Sequence, residues 1–287
     1  MRERSQRFDP RQTMQRDTFE VFHYREPRPN TVEVHHHDFY EVYYLLGGEV
    51  EYWVEGRIIR MQPGDLLLIN PLELHRPILG EADRVYERIV LWINREYLEG
   101  LFCDQVQLSR CFDTSQPAHT HLIRPAVSER SALTSRLGEL VREAYSRDYG
   151  SDLCAYGLFL QFMVQLNRMA SHTEGKQEET QQLSDLVQKT LTYIGENLNQ
   201  AITLESLAAR FYVSKYYLSH AFTKEVGVSI YRYIVMRRLL MARQLLTAGE
   251  TAGQVCRSCG FSDYTSFYRA FKSEYGISPR QFIAGNL

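Results

Sequence analysis

No apolar run in this 287-residue chain approaches the ~18 residues that a membrane-spanning helix needs. The first twenty residues, MRERSQRFDPRQTMQRDTFE, hold no apolar core from which a secretory signal could be built. Both absences point to a cytoplasmic protein with no membrane partner. Cysteine is sparse as well: the five, at positions 103, 111, 154, 256 and 259, are an odd, scattered set that fits reduced thiols rather than a disulfide framework. Cys256-Arg-Ser-Cys259 has the spacing of a redox or zinc-knuckle pair, but no second ligand pair accompanies it. The segment reads as a helix whose buried face needs small residues, so two packed core thiols are expected. A phosphate-cradling glycine loop, a Walker pattern and a nucleophile-elbow serine are all missing, and the chain does not read as an enzyme. Apolar content of 44% and charged content of 24% are ordinary for a soluble globular protein, and the length suggests two domains.

What is present is a repeat. FTKEVGVSIYRYI (Phe222–Ile234) aligns without a gap on FKSEYGISPRQFI (Phe271–Ile283), 49 residues later. Phe222/Phe271, Glu225/Glu274, Gly227/Gly276, Ser229/Ser278 and Ile234/Ile283 pair type for type. Self-similarity at a fixed offset means one supersecondary unit used twice. Ahead of each copy lies a helix-turn-helix pattern. In the first, ITLESLAARF is a short amphipathic helix with Thr203 as N-cap and Ser206 three residues on. A tight break follows at Tyr212-Val213, and Ser214 caps a second helix that ends at Gly227. In the second, AGQVCRSCGF is the first helix, Gly260 makes the turn, and Ser262 or Asp263 caps YTSFYRAFKSEYG. Leu218, Phe222 and Val226, like Phe267, Phe271 and Tyr275, recur every four residues and form the buried stripe.

The opposite faces carry Lys215, Tyr216, Ser219, His220 and Lys224 in one copy, and Tyr264, Thr265, Tyr268, Arg269 and Lys272 in the other. With the caps Ser214 and Asp263, these are the candidate contacts to base edges and phosphates of double-stranded DNA. Between the copies, SIYRYIVMRRLLMARQLL is one helical run of about 25 Å, long enough to hold two reading helices about one turn of DNA apart, ~34 Å. Charge agrees: residues 183–287 hold 12 Lys+Arg against 7 Asp+Glu, whereas residues 1–182 hold 21 against 28. A basic excess confined to one segment is the footprint of a polyanion partner.

Residues 202–283 resemble the DNA-binding domain of AraC/XylS-type transcription regulators, down to the terminal G-[IV]-S-P-x-x-[FY] signature, here GISPRQF. The chain departs from the family pattern at Cys256, which takes the common alanine position, and at Tyr212 in the first turn. The resemblance implies a promoter-binding regulator acting as a homodimer. It gives Arg238, on the connecting helix, a structural role within the domain rather than a base-reading one.

From Phe19 to about Trp92 the text turns to β: runs of Val, Ile, Tyr and Phe broken at Gly47-Gly48, Glu55-Gly56, Pro63-Gly64-Asp65 and Asn70-Pro71. Such regular short strands suggest a sandwich or small barrel. Inside it lie His35, His37, Glu41 and Gly48 as H-x-H-x-x-x-E-x6-G, then Pro63-Gly64-Asp65, then His75. This is similar to the cupin jelly roll, although Pro29 stands near the position where that motif expects a glycine. On a strand, alternation points His35 and His37 into the lumen and His36 outward. His35, His37, Glu41 and His75 could bind a first-row divalent ion, could hydrogen-bond a metal-free effector, or could be structural. No cofactor is required by this reading. Tyr43, Trp53, Tyr86 and Trp92 could offer faces to a sugar. By parity Tyr43 sits with Glu41, and Arg88 shares a face with Trp92, which makes Tyr43, Arg88 and Trp92 candidate effector contacts beside the histidines.

REYLEGLF after position 94 reads as a helix, QPAHTHLIRP as a loop or edge strand, and His119/His121 as a surface pair. Residues 128–172 become helical, with Leu133, Leu137, Leu140, Val141 and Tyr145 followed by Leu153, Phe159, Leu160, Met163, Val164 and Leu166. This is a helical hairpin, either a dimerisation surface or a layer packed on the β domain. Residues 173–182 read as linker. The expected architecture is α+β in two domains. A cupin-like effector domain spans 1–127, helices 128–172, and a DNA-binding domain 183–287 with helix-turn-helix motifs near 204–226 and 252–275. The expected function is a DNA-binding transcription regulator controlled by a small effector, a sugar or sugar derivative by analogy; the alternatives are a metal sensor built on His35, His37, Glu41 and His75, or a metal-dependent cupin enzyme.

Overall fold

The computed structural model describes residues 13–26, 32–79, 85–103, 106–116, 119–172 and 180–285. The chain divides into two compact units, residues 1–182 and 183–287. Most of the expected N-terminal arm, and residues 173–179 of the expected linker, lie outside the described residues.

The first unit contains β1 (Phe19–Glu26), β2 (Tyr40–Gly47), β3 (Val50–Val54), β4 (Arg57–Met61), β5 (Leu66–Ile69), β6 (His75–Leu79) and β7 (Tyr86–Ile93). The short helix α1 (Arg95–Gly100), the strands β8 (Phe102–Cys103), β9 (Val106–Gln107) and β10 (Leu122–Ile123), and the long helices α2 (Val127–Tyr145) and α3 (Ser151–His172) follow. The unit ends on β11 (Thr180–Gln182). Two larger antiparallel sheets form, in the orders β1-β7-β2-β5-β10 and β11-β4-β3-β6, and β8 pairs with β9 alone. Glu55 and Gly56 both take positive φ, 46° and 86°, in the two-residue turn from β3 to β4, a geometry that matches the right-handed twist of the strands.

Alternation sorts the five-stranded sheet into two buried faces. Phe22, Tyr24, Tyr43, Leu45, Leu67, Val90 and Trp92 meet Tyr52, Val54, Ile59 and Met61 of the second sheet. On the reverse face, Val21, Val42, Tyr44, Leu68, Ile89 and Leu91 are covered by Leu133, Leu137 and Leu140 of α2 and Phe159, Phe162 and Met163 of α3. The hairpin's apolar stripe is therefore spent on the sheet. Phe159 is fully buried and stacks on Phe19 with ring centroids 4.4 Å apart. Leu153, expected in that stripe, is instead 73% exposed, and Tyr145 is exposed although its hydroxyl donates to Val21 O at 2.7 Å.

The end of the expected linker is not free chain. Thr180, Gln181 and Gln182 pair with Ile59, Ile58 and Arg57, adding an edge strand to the second sheet. The run TQQ carries no apolar alternation, so nothing in its composition marks it as a strand.

The second unit is helical: α4 (Asp185–Glu196), α5 (Leu204–Arg210), α6 (Lys215–Val226), α7 (Ile230–Thr247), α8 (Ala252–Ser258), α9 (Tyr264–Tyr275) and α10 (Pro279–Gly285). The duplication seen in the sequence is structural. α6 and α9 are each 12 residues and α5 and α8 each seven, with α4 and α7 leading their respective halves. The repeated glutamate has one job in both halves. Glu225 accepts from Ser184 N and Oγ at 2.8 and 2.7 Å, at the start of α4, and Glu274 accepts from Arg232 Nη2 at 2.8 Å, in the first turn of α7.

Candidate functional site

Each of α6 and α9 is held by a cap at its start and a left-handed glycine at its end. Ser214 Oγ accepts from Tyr217 N at 3.2 Å, Asp263 Oδ1 accepts from Ser266 N at 2.8 Å, and Gly227 and Gly276 close the helices at φ 96° and 74°. Leu218, Phe222 and Val226 of α6 and Phe267 and Phe271 of α9 are buried, which fixes the helices by one face. The other faces are open. Lys215, Tyr216, His220 and Lys224 are exposed and Ser219 half-buried; Tyr264, Thr265, Tyr268, Arg269 and Lys272 are exposed. Several of these side chains have internal partners: Tyr216 stacks near His220 with centroids 6.2 Å apart, Tyr264 lies 6.5 Å from Tyr268, and Lys215 Nζ donates to Glu205 at 2.9 Å. The spacer α7 has 18 residues, about 27 Å. Arg238, half-buried on α7, donates from Nε to Leu198 O at 3.0 Å and from Nη2 to Gln200 O at 2.6 Å, which locks the loop before α5. Cys256 and Cys259 are buried, unbridged thiols, and burial pushes the Cys259 thiol up to about 12.

Between the sheets of the first unit, polar groups converge at one end of an aromatic interior. Each of three imidazoles places Nδ1 2.9 Å from a backbone carbonyl: His35 with Glu33 O, His37 with Phe39 O and His75 with Glu73 O. A carbonyl only accepts, so the ring proton sits on Nδ1 and Nε2 is left with its lone pair. His37 Nε2 and His75 Nε2 then face Glu41 Oε2 at 2.8 and 3.6 Å. Burial lowers the His37 pKa below its ordinary value, against the pull of Glu41. Burial, with His75 beside it, pushes His35 down to about 3. Farther along the same interior, Arg88 donates to Glu26 at 2.8 Å and lies over the Tyr24 and Tyr86 rings at 4.8 and 4.4 Å. The Tyr43 and Tyr86 hydroxyls are in contact, and Tyr43 packs edge-on against Tyr52 at 5.0 Å. Trp92 lies 4.7 Å from Phe39, whose ring stacks on His37 at 3.9 Å.

Residues 18–163 match the family described as the AraC-like ligand binding domain, and residues 207–285 match the helix-turn-helix domain. The chain belongs to the AraC family of transcription regulators. It is 26% identical over 259 residues to the HTH-type transcriptional activator RhaS of Escherichia fergusonii, covering 88% of this chain and 87% of that one. It is 28% identical over 236 residues to the arabinose operon regulatory protein of Escherichia coli strain K12, covering 80% and 75%. Among solved structures, the C-terminal domain of AraT, a response regulator from Geobacillus stearothermophilus, is 30% identical, spans 37% of this chain and 88% of its own, and has a TM-score of 0.36.

For this AraC-family chain, several side chains stand elsewhere than the sequence pattern suggests. His36 does not face out; it is 8% exposed, because residues 35–37 form no regular strand. His35 instead makes an isolated bridge with His75, donating to and accepting from its backbone at 3.1 and 3.0 Å. The His35 ring sits 4.3 Å from the His75 ring, but among the described residues the ligand atoms within 4.8 Å of one another are those of His37, Glu41 and His75, without His35. Trp53 is fully buried, yet it alternates with the interior residues Tyr52 and Val54 and belongs to the opposite face of its sheet. His121 is no surface residue: it is buried, with Nε2 3.1 and 3.2 Å from the two Glu73 carboxylate oxygens. Glu73, which no motif marks, also accepts from Asn70 N at 2.8 Å, and its carbonyl is the one that orients His75.

These shifts predict acid sensitivity. Folded His35 stays neutral down to about pH 3, whereas the unfolded chain takes up its proton near 6.5, so stability falls as pH drops through that window. From pH 6.5 to 4.5 the first unit should lose about 2 kcal/mol, and its Tm roughly 5 °C. Calorimetry of chelator-dialysed protein, with His35→Gln as the flattened control, measures it; a constant Tm over that range rules it out.

Proposed function

We propose that this regulator binds a sugar or sugar derivative between its sheets and thereby controls how α6 and α9 engage promoter DNA in the cytoplasm. The observation that carries this reading is the interior itself. A half-buried carboxylate (Glu41), a buried guanidinium (Arg88) and the hydroxyls of Tyr43, Tyr52 and Tyr86 lie among aromatic faces that include Trp92. Such alternating acceptors, donors and rings suit a polyol whose rim is hydroxyl and whose faces are C–H. Both relatives with printed regulatory names are activators or regulators, one of them of an arabinose operon, which favours the sugar class. The DNA contacts would come from Ser214, Lys215, Tyr216, Ser219, His220 and Lys224 in α6, and from Asp263, Tyr264, Thr265, Tyr268, Arg269 and Lys272 in α9. Control requires the effector to bind one arrangement of the protein better than another, since equal affinity shifts nothing. Homodimerisation would use the exposed tip of the helical hairpin, where Tyr149 and Leu153 are 107% and 73% exposed.

A second reading, a divalent-ion sensor, is favoured by one observation. With its proton on Nδ1, each of His37 and His75 meets the Glu41 carboxylate acceptor to acceptor, an arrangement that a cation between them relieves. His37, Glu41 and His75 fit a first-row ion as two imidazole nitrogens and one carboxylate oxygen. Thermal melting of the full chain against sugars, sugar acids and divalent ions separates the readings. A ligand at a hundred times its Kd adds about 2.7 kcal/mol, on the order of 5–10 °C for a unit of this size. A shift with a sugar class supports the first reading, and a shift with an ion alone, lost in His37→Ala, supports the second. No shift with any of them would overturn both.

A further inference from the structure

The two halves of the DNA-binding unit differ at one turn residue. α5 and α8 start at Leu204 and Ala252, 48 residues apart, whereas α6 and α9 start at Lys215 and Tyr264, 49 apart. The second turn is therefore one residue longer, and up to that insertion Tyr212 is the counterpart of Gly260. Both take left-handed backbone, φ 55° and 75°, directly after the C-caps Phe211 and Cys259. Glycine adopts that conformation freely, while an aromatic residue there is strained. In the second half glycine is also required by space, because a Cβ at 260 would press into Leu198 O. The first half keeps a tyrosine in the same conformation, and burial does not compensate it: Tyr212 is 96% exposed. A bulky side chain held in strained backbone with no interior to fill points to a role outside the fold.

Its position indicates what. In helix-turn-helix docking the first helix crosses the sugar-phosphate backbone and the N-terminal end of the second enters the major groove. Tyr212 lies at the bend between those helices, two residues before the cap Ser214 and beside the exposed Lys215 and Tyr216. That is the lip of the groove, where phosphates line both sides. We infer that Tyr212 is a DNA-backbone contact whose hydroxyl donates to a phosphate oxygen at the edge of the groove read by α6, a contact that fixes register without reading sequence. The inference rests on α6 being a reading helix.

The test uses the full chain and a random-sequence 40-base-pair duplex at low salt, since a phosphate contact needs no operator. Tyr212→Gly should leave Tm unchanged, because relief of strain offsets the added freedom of the unfolded chain. It should weaken duplex binding about tenfold, the scale of one hydrogen bond to a charged group. Tyr212→Phe, which lacks only the hydroxyl, should lose as much. A Tyr212→Phe protein that binds like wild type while Tyr212→Gly does not would overturn the phosphate assignment. Lys215→Ala combined with Lys224→Ala serves as the control for α6. If that double variant binds weakly and Tyr212→Gly binds normally, Tyr212 is not a contact. If the double variant also binds normally, the reading of α6 fails and the inference falls with it.

Discussion

Gly260→Ala should disable the DNA-binding unit by distorting its second half, with a loss of about 3 kcal/mol or more. Two costs add. Left-handed backbone, φ 75° here, is disfavoured for alanine by about 1–2 kcal/mol. The new methyl would also press against Leu198 O, and close to Asn199 C and Arg238 Nη2, each 3.0 Å from where it would stand. Overpacking against backbone adds about 1–3 kcal/mol, because no side-chain end can swing aside. Arg238 makes retreat harder still. Its bonds to Leu198 O and Gln200 O hold the loop that would have to move, so yielding at 260 breaks a charged hydrogen bond elsewhere. For a unit of about a hundred residues the Tm should fall by more than 10 °C, read as the second transition in calorimetry of the full chain. Duplex binding should fall with it at temperatures above the new midpoint. A drop smaller than about 3 °C would mean that the α8–α9 turn is not clamped in this way. Space separates the two left-handed positions: a Cβ is destructive at 260 and, at the exposed position 212, dispensable to the fold.

The second unit was legible because its signals are local. Caps, left-handed glycines and a four-residue apolar stripe each act within one helix, so Thr203, Ser214, Gly227 and Gly276 announce their roles without knowledge of the fold. The helix α4 gave a weaker signal, with Val187, Leu191 and Ile194 at helical spacing behind Ser184, and its reason for existing is non-local. It supplies in the first half what α7 supplies in the second, the partner to a repeated glutamate, and no self-alignment over Phe222–Ile283 contains it. Cys256 and Cys259 were legible for a similar reason, since the helical period places both on the buried face.

The first unit was legible as β but not in its depth. Its main sheet is covered on both faces, so LLLI (Leu66–Ile69) and RIVLWI (Arg88–Ile93) carry no clean alternation from which lumen and exterior could be told apart. Parity assigns sides only where the chain is a regular strand. Residues 35–37 are not, which is why His36 is buried and His35 pairs with His75 rather than joining the Glu41 set. The partner of His121 is Glu73, 48 residues earlier, and only the antiparallel pairing of β10 with β5 brings them together. Histidine pairs announce a candidate site, but the second carboxylate and the carbonyls that orient the rings come from topology.

Helix α3 offers the last expectation, because it has two faces with different tasks. Phe159 is fully buried, parallel to Phe19 at 4.4 Å and near Tyr97 at 6.0 Å, so it anchors the hairpin to the sheet. Phe159→Ala removes a large buried ring and leaves a cavity between layers that the sheet cannot close, which should cost the first unit about 3–5 kcal/mol and roughly 10 °C or more in Tm. Leu153, six residues earlier, points the other way and is 73% exposed, with Tyr156 one turn further on and Tyr149 in the loop before the helix. Leu153→Asp leaves every described packing contact intact and should change Tm by no more than about 1 °C. If the hairpin tip is the dimer face, the same substitution buries an unpaired charge at the seam and should convert the protein to monomer at micromolar concentration in sedimentation velocity. Phe159→Ala, measured below its lowered midpoint, should remain dimeric. A wild-type monomer, or a Leu153→Asp protein that still sediments as a dimer, removes the tip as the interface and leaves the hairpin as a cover for the sheet.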